Sequence, residues 1–177
     1  MIIAVVVDTN VFVSAVFNEK SIPAQLLELW ISGLFILVSC QRALDELNDV
    51  LRRPHLVSRY HIDDRKRDNL LSTLQERSVL VAGTSLIGII PDDPKDDMFV
   101  SCAAEGGAKY IISGDKHLLK LRCYQSTRII QPAHFLPGLS LTSPPGPLSN
   151  TWRGGEKRIL KSPLHAMGRG FRGGVNA

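Results

Sequence analysis

The chain has 177 residues, of which 44% are hydrophobic and 21% charged, which is typical of one globular domain of ordinary size. No apolar run is long enough to span a bilayer, and the first residues lack the positive flank of a signal peptide. We therefore expect a cytoplasmic protein with no membrane partner. The formal net charge of +4 divides unevenly, since the residues after Gly138 carry +5 and the first 138 carry −1.

Cysteine and histidine residues give no sign of a zinc or haem site. The three cysteines, Cys40, Cys102 and Cys123, contain no C-x-x-C pair, and the five histidines have no ligand spacing. We expect reduced and mostly buried thiols, and we assign no histidine to a metal.

The chain opens with an apolar strand that runs into polar residues. Residues 2–7 are six apolar and largely β-branched residues, a pattern typical of a buried strand in a parallel sheet. Asp8, Thr9 and Asn10 follow at its carboxyl end, which is where open α/β sheets bind ligands. The same residue types also favour turns and helix caps, so this stretch alone leaves both interpretations open.

Helices and strands then alternate along the chain. Helices are predicted over 11–17, 21–33, 41–53, 55–60, 63–77, 93–106, 116–121 and 131–136, and strands over 2–7, 34–39, 78–82, 108–112 and 128–130. Residues 84–90 are apolar and remain ambiguous between strand and loop. The alternation predicts an α/β fold of the Rossmannoid kind, a three-layer α/β/α sandwich with a central, mainly parallel sheet.

The helix predicted over 41–53 carries two adjacent acids that point in different directions. Its apolar residues form one stripe at about 100° per residue. Glu46 lies on the edge of that stripe, whereas Asp45 points to solvent. Glu46 is therefore the acid that can reach a pocket, although a single glutamate at such a place is often only part of a solvated helix edge.

Four acids lie within six residues, at positions 92, 93, 96 and 97. Asp93 before Pro94 suits a helix cap and first position. Asp96 is predicted to face inward and Asp97 to lie on the flank, while the inward apolar face extends to Ala104. Acids are favoured in a first turn by the helix dipole, but four exceed what capping needs.

A second strand ends in an aspartate, because residues 108–112 are followed by Ser113 and Asp115. If the two strands are neighbours, Asp8, Glu46, Asp96 and Asp115 meet in one crevice. Carboxylates that close together need cations to stay ionised, and oxygen ligands favour Mg²⁺ or Mn²⁺. Such a metal polarises a phosphoryl oxygen and activates water, which predicts phosphodiester hydrolysis. Asn10 and Ser113 are expected to orient a carboxylate or metal-bound water.

The ordered motifs resemble the PIN-domain family, and within it the toxins of bacterial toxin–antitoxin pairs. The matching stretches are 7–11, 46–54, 93–99, 112–119 and 131–136, and the resemblance covers residues 1–138. It implies a PIN-like fold and a Mg²⁺- or Mn²⁺-dependent ribonuclease that acts on single-stranded or loop RNA, with Asp8, Glu46, Asp96 and Asp115 as its acids and metal ligands. It also implies a homodimer and a cognate antitoxin.

Two positions depart from the family pattern. Asp97 stands where this subfamily often has asparagine, and Lys95 where it often has an acid, so Asp97 could compete with Asp96 as a ligand. RNA contacts are expected from Arg42, Arg52, Arg53, Lys95, Lys116 and Lys120.

Two other functions remain open from the sequence. One is a degenerate PIN domain that binds RNA or protein without catalysis. The other is a phosphatase or phosphoacceptor domain with Asp8 as nucleophile, which would need a second acid where the chain has Asn10, and an activating lysine such as Lys109 or Lys116.

Residues 139–177 differ in composition from the rest of the chain. They are basic and rich in glycine and proline, so we expect a disordered tail after a PIN domain of residues 1–138. The tail could bind nucleic acid, bind a partner, or be an extension without a role.

Overall fold

The computed structural model describes residues 2–60 and 63–142. Its strands are β1 (Ala4–Val7), β2 (Ile36–Cys40), β3 (Val79–Val81), β4 (Tyr110–Ile112), β5 (Cys123–Tyr124) and β6 (Thr127–Ile130). Its helices are α1 (Thr9–Phe17), α2 (Ile22–Ile31), α3 (Gln41–Leu51), α4 (Pro54–Tyr60), α5 (Asp64–Arg77), α6 (Asp97–Glu105), α7 (Lys116–Leu121) and α8 (Pro132–Thr142). A 3₁₀ turn, Pro94–Asp96, leads into α6.

The described strands form one sheet in the order β3-β2-β1-β4-β6-β5. All neighbours are parallel except β5, which is antiparallel to β6. The chain builds outward from β1 to β2 and β3 on one side, and then continues on the other side with β4. Strand order therefore reverses between β1 and β4, and the crevice beyond their carboxyl ends is where such sheets bind ligands.

Side chains of β1 alternate between two hydrophobic cores. Val5 and Val7 pack into a core with residues of α1, α2, α3, α5 and α8. Val6 packs on the opposite face with residues of α6 and α7, including Phe99 and Leu118. This alternation is the two-residue period of a strand covered on both faces. The predicted three-layer α/β/α sandwich with a mainly parallel sheet is confirmed.

Several element boundaries differ from the predictions. Ala104 is exposed rather than inward, and α8 continues to Thr142 although Pro137 and Gly138 predicted an earlier end. Phe135 anchors α8 by packing edge-on against Phe35 and Tyr110. The predicted domain end at 138 thus falls inside a helix, and residues 143–177 of the predicted tail lie outside the described residues.

Residues 83–90, of which 84–90 are ambiguous in the sequence, form a loop that α6 holds with polar side chains one turn apart. Asp97, Ser101 and Glu105 accept hydrogen bonds from backbone N–H groups of the loop. Glu105 accepts those of Gly83, Thr84 and Ser85, Ser101 that of Leu86, and Asp97 those of Gly88 and Ile90, at 2.5–3.1 Å. The loop thus obtains from side chains the partners that a strand would obtain from a ladder.

Gly83 begins this loop in a conformation that favours glycine. Its φ is +68°, and a Cβ there would lie 2.7 Å from the Sγ atom of Cys40. Cys40 and Cys102 are buried and Cys123 is exposed, and all three are free thiols. No helix in the described part of the chain is both long and apolar enough to cross a membrane.

Candidate active site

Asp8 lies at the point where strand order reverses. Its backbone N–H bonds to the carbonyl of Ile112 at the end of β4 (3.0 Å). Its Oδ1 atom accepts the N–H of Asn10 (3.1 Å), and its Oδ2 atom accepts the hydroxyl of Ser113 (2.6 Å). Asp8 is therefore the cap of α1 and also a buried carboxylate at the ligand-binding edge, so the two interpretations of this stretch are compatible.

Burial raises the pKa of Asp8 above its ordinary value. The hydrogen bonds from Ser113 and Asn10 lower that pKa, and the charges of Asp115 and Glu46 raise it further. The carboxylate therefore has neighbours that hold it in one orientation, and it also has like charges nearby that disfavour its ionisation.

Ser113 links the two aspartates that follow β1 and β4. Its buried hydroxyl donates to Asp8 and accepts the backbone N–H of Asp115 (2.8 Å). Asp115 in turn caps α7 by accepting the N–H of His117 (2.7 Å). Ser113 thus contacts the carboxylate of one predicted site residue and the backbone of another. Asn10 contributes its backbone N–H to Asp8, and the residue is exposed.

Glu46 is half-buried on α3, and its Oε2 atom accepts the hydroxyl of Thr9 at 2.8 Å. The adjacent Asp45 is exposed and accepts a hydrogen bond from Gln41. Thr9 itself is buried and was not among the predicted site residues. Its sequence signal is weak: a hydroxyl side chain at the start of an otherwise apolar helix.

Asp96 and Asp97 face different parts of the molecule. Asp96 is half-buried, and its Oδ2 atom is buried without a hydrogen-bond partner in the described residues. Burial, followed by the charges of Asp8, Asp93, Asp115 and Glu46, raises the pKa of Asp96 to about 7. Asp97, in contrast, turns its carboxylate to the N–H groups of the 83–90 loop. The structure brings Asp96, and not Asp97, among the other predicted acids.

Asp8, Glu46, Asp96 and Asp115 are hereafter called the acidic cluster. The family model described as "PIN domain" matches residues 4–117, a range that includes all four. This protein belongs to the PIN-domain family. A relative in Methanocaldococcus jannaschii, an uncharacterized protein, is 31% identical over 120 residues, which cover 68% of this chain and 76% of that protein. PIN domains are generally nucleases and typically use divalent metals.

The acidic cluster of this PIN domain fits a divalent cation by the chemistry of its atoms. Within residues 2–60 and 63–142, no group of three or more His, Cys, Asp or Glu side chains is already arranged to hold a metal ion. The available donors are nevertheless all carboxylate oxygens, which hard cations prefer. Asp96 also supplies a buried oxygen that lacks a hydrogen-bond partner among the described residues. A bound cation would replace that missing partner.

Two basic residues of α7 pair with Asp92, which precedes the 3₁₀ turn of the PIN domain. Lys120 donates to Asp92 at 2.8 Å, and the Nδ1 atom of His117 lies 3.6 Å from the same carboxylate oxygen. The hydrogen bond from Lys120 lowers the pKa of Asp92. Lys120, one of the predicted RNA contacts, is thus already paired with an acid.

Proposed function

We propose that this PIN domain is a metal-dependent ribonuclease that hydrolyses phosphodiester bonds of RNA in the cytoplasm, with Mg²⁺ or Mn²⁺ as its cofactor. The observation that supports this most is Asp96. Its buried Oδ2 atom has no hydrogen-bond partner among the described residues, and its pKa is raised first by burial and then by the charges of nearby acids, which include the other three of the cluster. A cation bound there would relieve both costs.

The residues of the acidic cluster would hold the metal, and their neighbours fix them. A bound metal would polarise a phosphoryl oxygen by its positive charge and would lower the pKa of the attacking water. Ser113 and the N–H of Asn10 hold the two oxygens of Asp8, and Thr9 holds one oxygen of Glu46. The carboxylates are thereby oriented before substrate arrives, which reduces the reorganisation needed during reaction.

Catalysis explains this arrangement better than RNA binding alone. Four carboxylates at one sheet edge repel the phosphates of RNA, so a pure binding module gains nothing from them. A phosphoacceptor function is disfavoured because both oxygens of Asp8 already accept hydrogen bonds. Lys109, one of the lysines which that function would use, lies instead over the ring of Tyr110 at 5.9 Å.

The test is cleavage of labelled single-stranded RNA by purified protein in Mg²⁺, in Mn²⁺ and in chelator. Glu46→Gln and Asp96→Asn are expected to lose at least a hundredfold in rate. Asp45→Asn is the matched control because it alters the neighbouring exposed acid, and it should cleave like wild type. Metal-dependent binding without any cleavage would instead favour the degenerate PIN module.

We further propose that the protein is the toxin of a toxin–antitoxin pair and forms a homodimer. The support is the resemblance of its ordered motifs to that subfamily. Induced expression of wild type in bacteria should stop growth, whereas Asp96→Asn expressed to the same level should not. Normal growth with active wild-type protein would refute the toxin role, and sedimentation of a monomer at micromolar concentration would refute the dimer.

A further inference from the structure

A pocket of about 290 Å³ opens directly beside the acidic cluster. Its lining comes from the start of α1, the first turn of α2, the turn between β4 and α7, and the first turn of α8. The lining residues are Asn10, Val11, Ser14, Pro23, Gly114, Asp115 and Pro132. Asp115 belongs to both the pocket and the acidic cluster, so a group in the pocket lies next to the place where a phosphodiester would be cut.

The charge of the lining restricts which part of a nucleotide can enter. None of the described residues around the pocket is basic, and the carboxylate of Asp115 stands on one wall. A phosphate would be repelled there and would find no cation in the wall. The occupant is therefore an uncharged part of the strand.

The shape and composition of the lining favour a base over a sugar. Val11 is buried, and Pro23 and Pro132 add two rigid apolar walls. Asn10 and Ser14 add polar groups to the same pocket. The hydroxyl of Ser14 donates to the backbone carbonyl of Asn10 at 2.8 Å, so its oxygen is available as an acceptor. Flat apolar faces with a few polar groups at the rim are what an unstacked base requires, because unpaired bases are recognised by stacking and by their hydrogen-bonding edges.

We propose that this pocket binds one unpaired nucleobase of the RNA strand, adjoining the bond that is cut at the acidic cluster. This inference rests on the proposed ribonuclease function and adds a nucleobase subsite beside its acidic cluster. A base seated between Pro23 and Pro132 sets the position of the neighbouring phosphate relative to Asp115. A paired base is stacked inside a helix and does not enter such a pocket, so the nucleotide bound here is unpaired.

The experiment combines removal of a base with filling of the pocket. A short RNA is made in versions with one abasic nucleotide at each position in turn. Each version is cleaved by wild type, by Ser14→Leu, which fills the pocket, and by Ser72→Leu, which places the same side chain on an exposed face of α5. Pro23→Ala removes one wall and gives a second measurement. Melting temperatures establish that each variant is folded.

A base in the pocket predicts a non-additive result. In wild type and Ser72→Leu, one abasic position next to the cut bond should lower kcat/KM about tenfold, the size expected for one stacked base. Ser14→Leu should lose about tenfold on intact RNA and should then be indifferent to base removal at that position. Pro23→Ala should reduce the effect of base removal.

Two results would overturn the inference, and they are distinguishable. If Ser14→Leu and wild type respond equally to base removal at every position, the pocket does not hold a base and the ribonuclease function still stands. If wild type cleaves no RNA in either metal, the proposed function fails and the nucleobase site fails with it.

Discussion

At the level of single residues, two hydroxyl groups hold two different carboxylates of the acidic cluster. Ser113 donates to Asp8 at 2.6 Å and Thr9 donates to Glu46 at 2.8 Å. Both hydroxyl residues are buried. A buried donor of this kind fixes the direction of a carboxylate that would otherwise rotate freely, and such supporting bonds influence metal sites nearly as strongly as the ligands.

We predict that Thr9→Val lowers kcat/KM for RNA about tenfold or more and weakens metal binding to a similar degree. Valine keeps the shape and removes only a hydrogen bond to a charged group, so the free energy of unfolding should fall by no more than about 1.5–3 kcal/mol. Thr9→Ser keeps the donor and should retain most activity. Full activity in Thr9→Val, measured by the same cleavage assay, would show that Glu46 needs no such support.

The raised pKa of Asp96 predicts how stability depends on pH in metal-free protein. A carboxyl group whose pKa is near 7 when folded and 3.8 when unfolded favours the folded state at low pH. That contribution is lost as pH rises between these two values. Because the side chain is half-exposed, solvent screening limits the effect to about 1–2 kcal/mol.

Asp96→Asn should therefore flatten the decline in stability from pH 4 to pH 7. In chelator at pH 8 it should be more stable than wild type, as measured by urea unfolding. Asp45→Asn should follow the wild-type curve. Equal pH profiles for wild type and Asp96→Asn would mean that Asp96 is not strained by its neighbours.

At the level of elements, α6 combines an apolar helix with a polar stripe that fixes a loop. Asp97, Ser101 and Glu105 recur every four residues and accept backbone N–H groups from residues 83–90. The 3₁₀ turn before α6 ends at Asp96, which belongs to the acidic cluster. Two adjacent aspartates therefore have different roles. Asp96 is a residue of the candidate site, and Asp97 fixes the 83–90 loop.

Asp97→Asn is expected to affect stability more than metal binding. An amide replaces an acceptor-only carboxylate opposite the N–H groups of Gly88 and Ile90, one of which then loses its partner. We expect a loss of about 2 kcal/mol in the free energy of unfolding, with faster amide exchange over residues 86–90. Asp96→Asn is the matched comparison and should instead weaken metal binding strongly, with little effect on amide exchange in the loop. The reverse pattern would assign the ligand role to Asp97.

For the whole molecule, the parts predictable from sequence are those encoded by local patterns. An apolar run followed by an acid appears twice, at Asp8 and Asp115, and each marks the carboxyl end of a central strand. The apolar stripe of α3 also distinguishes its two adjacent acids, because Glu46 lies at the edge of the stripe and Asp45 points away from it. These local signals predict the sheet and its layers, whereas the convergence of Asp8 and Asp115 also requires that β1 and β4 be neighbours.

The features that sequence did not predict depend on contacts between distant segments. The hydrogen bond between Thr9 and Glu46 joins residues that are 37 positions apart, and no sequence periodicity predicts it. The 83–90 loop lacks ladder partners and is fixed by α6, so its own composition is uninformative. The two-residue strand β5 is too short for any pattern, and its turn needs positive φ at Gln125 (50°).

The acidic cluster draws on four separate parts of the fold, so a bound cation should stabilise the whole domain. Its members follow β1, lie on α3, precede α6 and follow β4, and a metal that binds only the folded state adds free energy by linkage. At a hundredfold excess over the dissociation constant, Mn²⁺ should add about 2.7 kcal/mol and raise Tm by about 5–10 °C. Asp45→Asn should show the same rise by calorimetry, whereas Asp96→Asn should show less than half of it. A wild-type Tm indifferent to Mn²⁺ and Mg²⁺ would contradict a metal site formed by these four carboxylates.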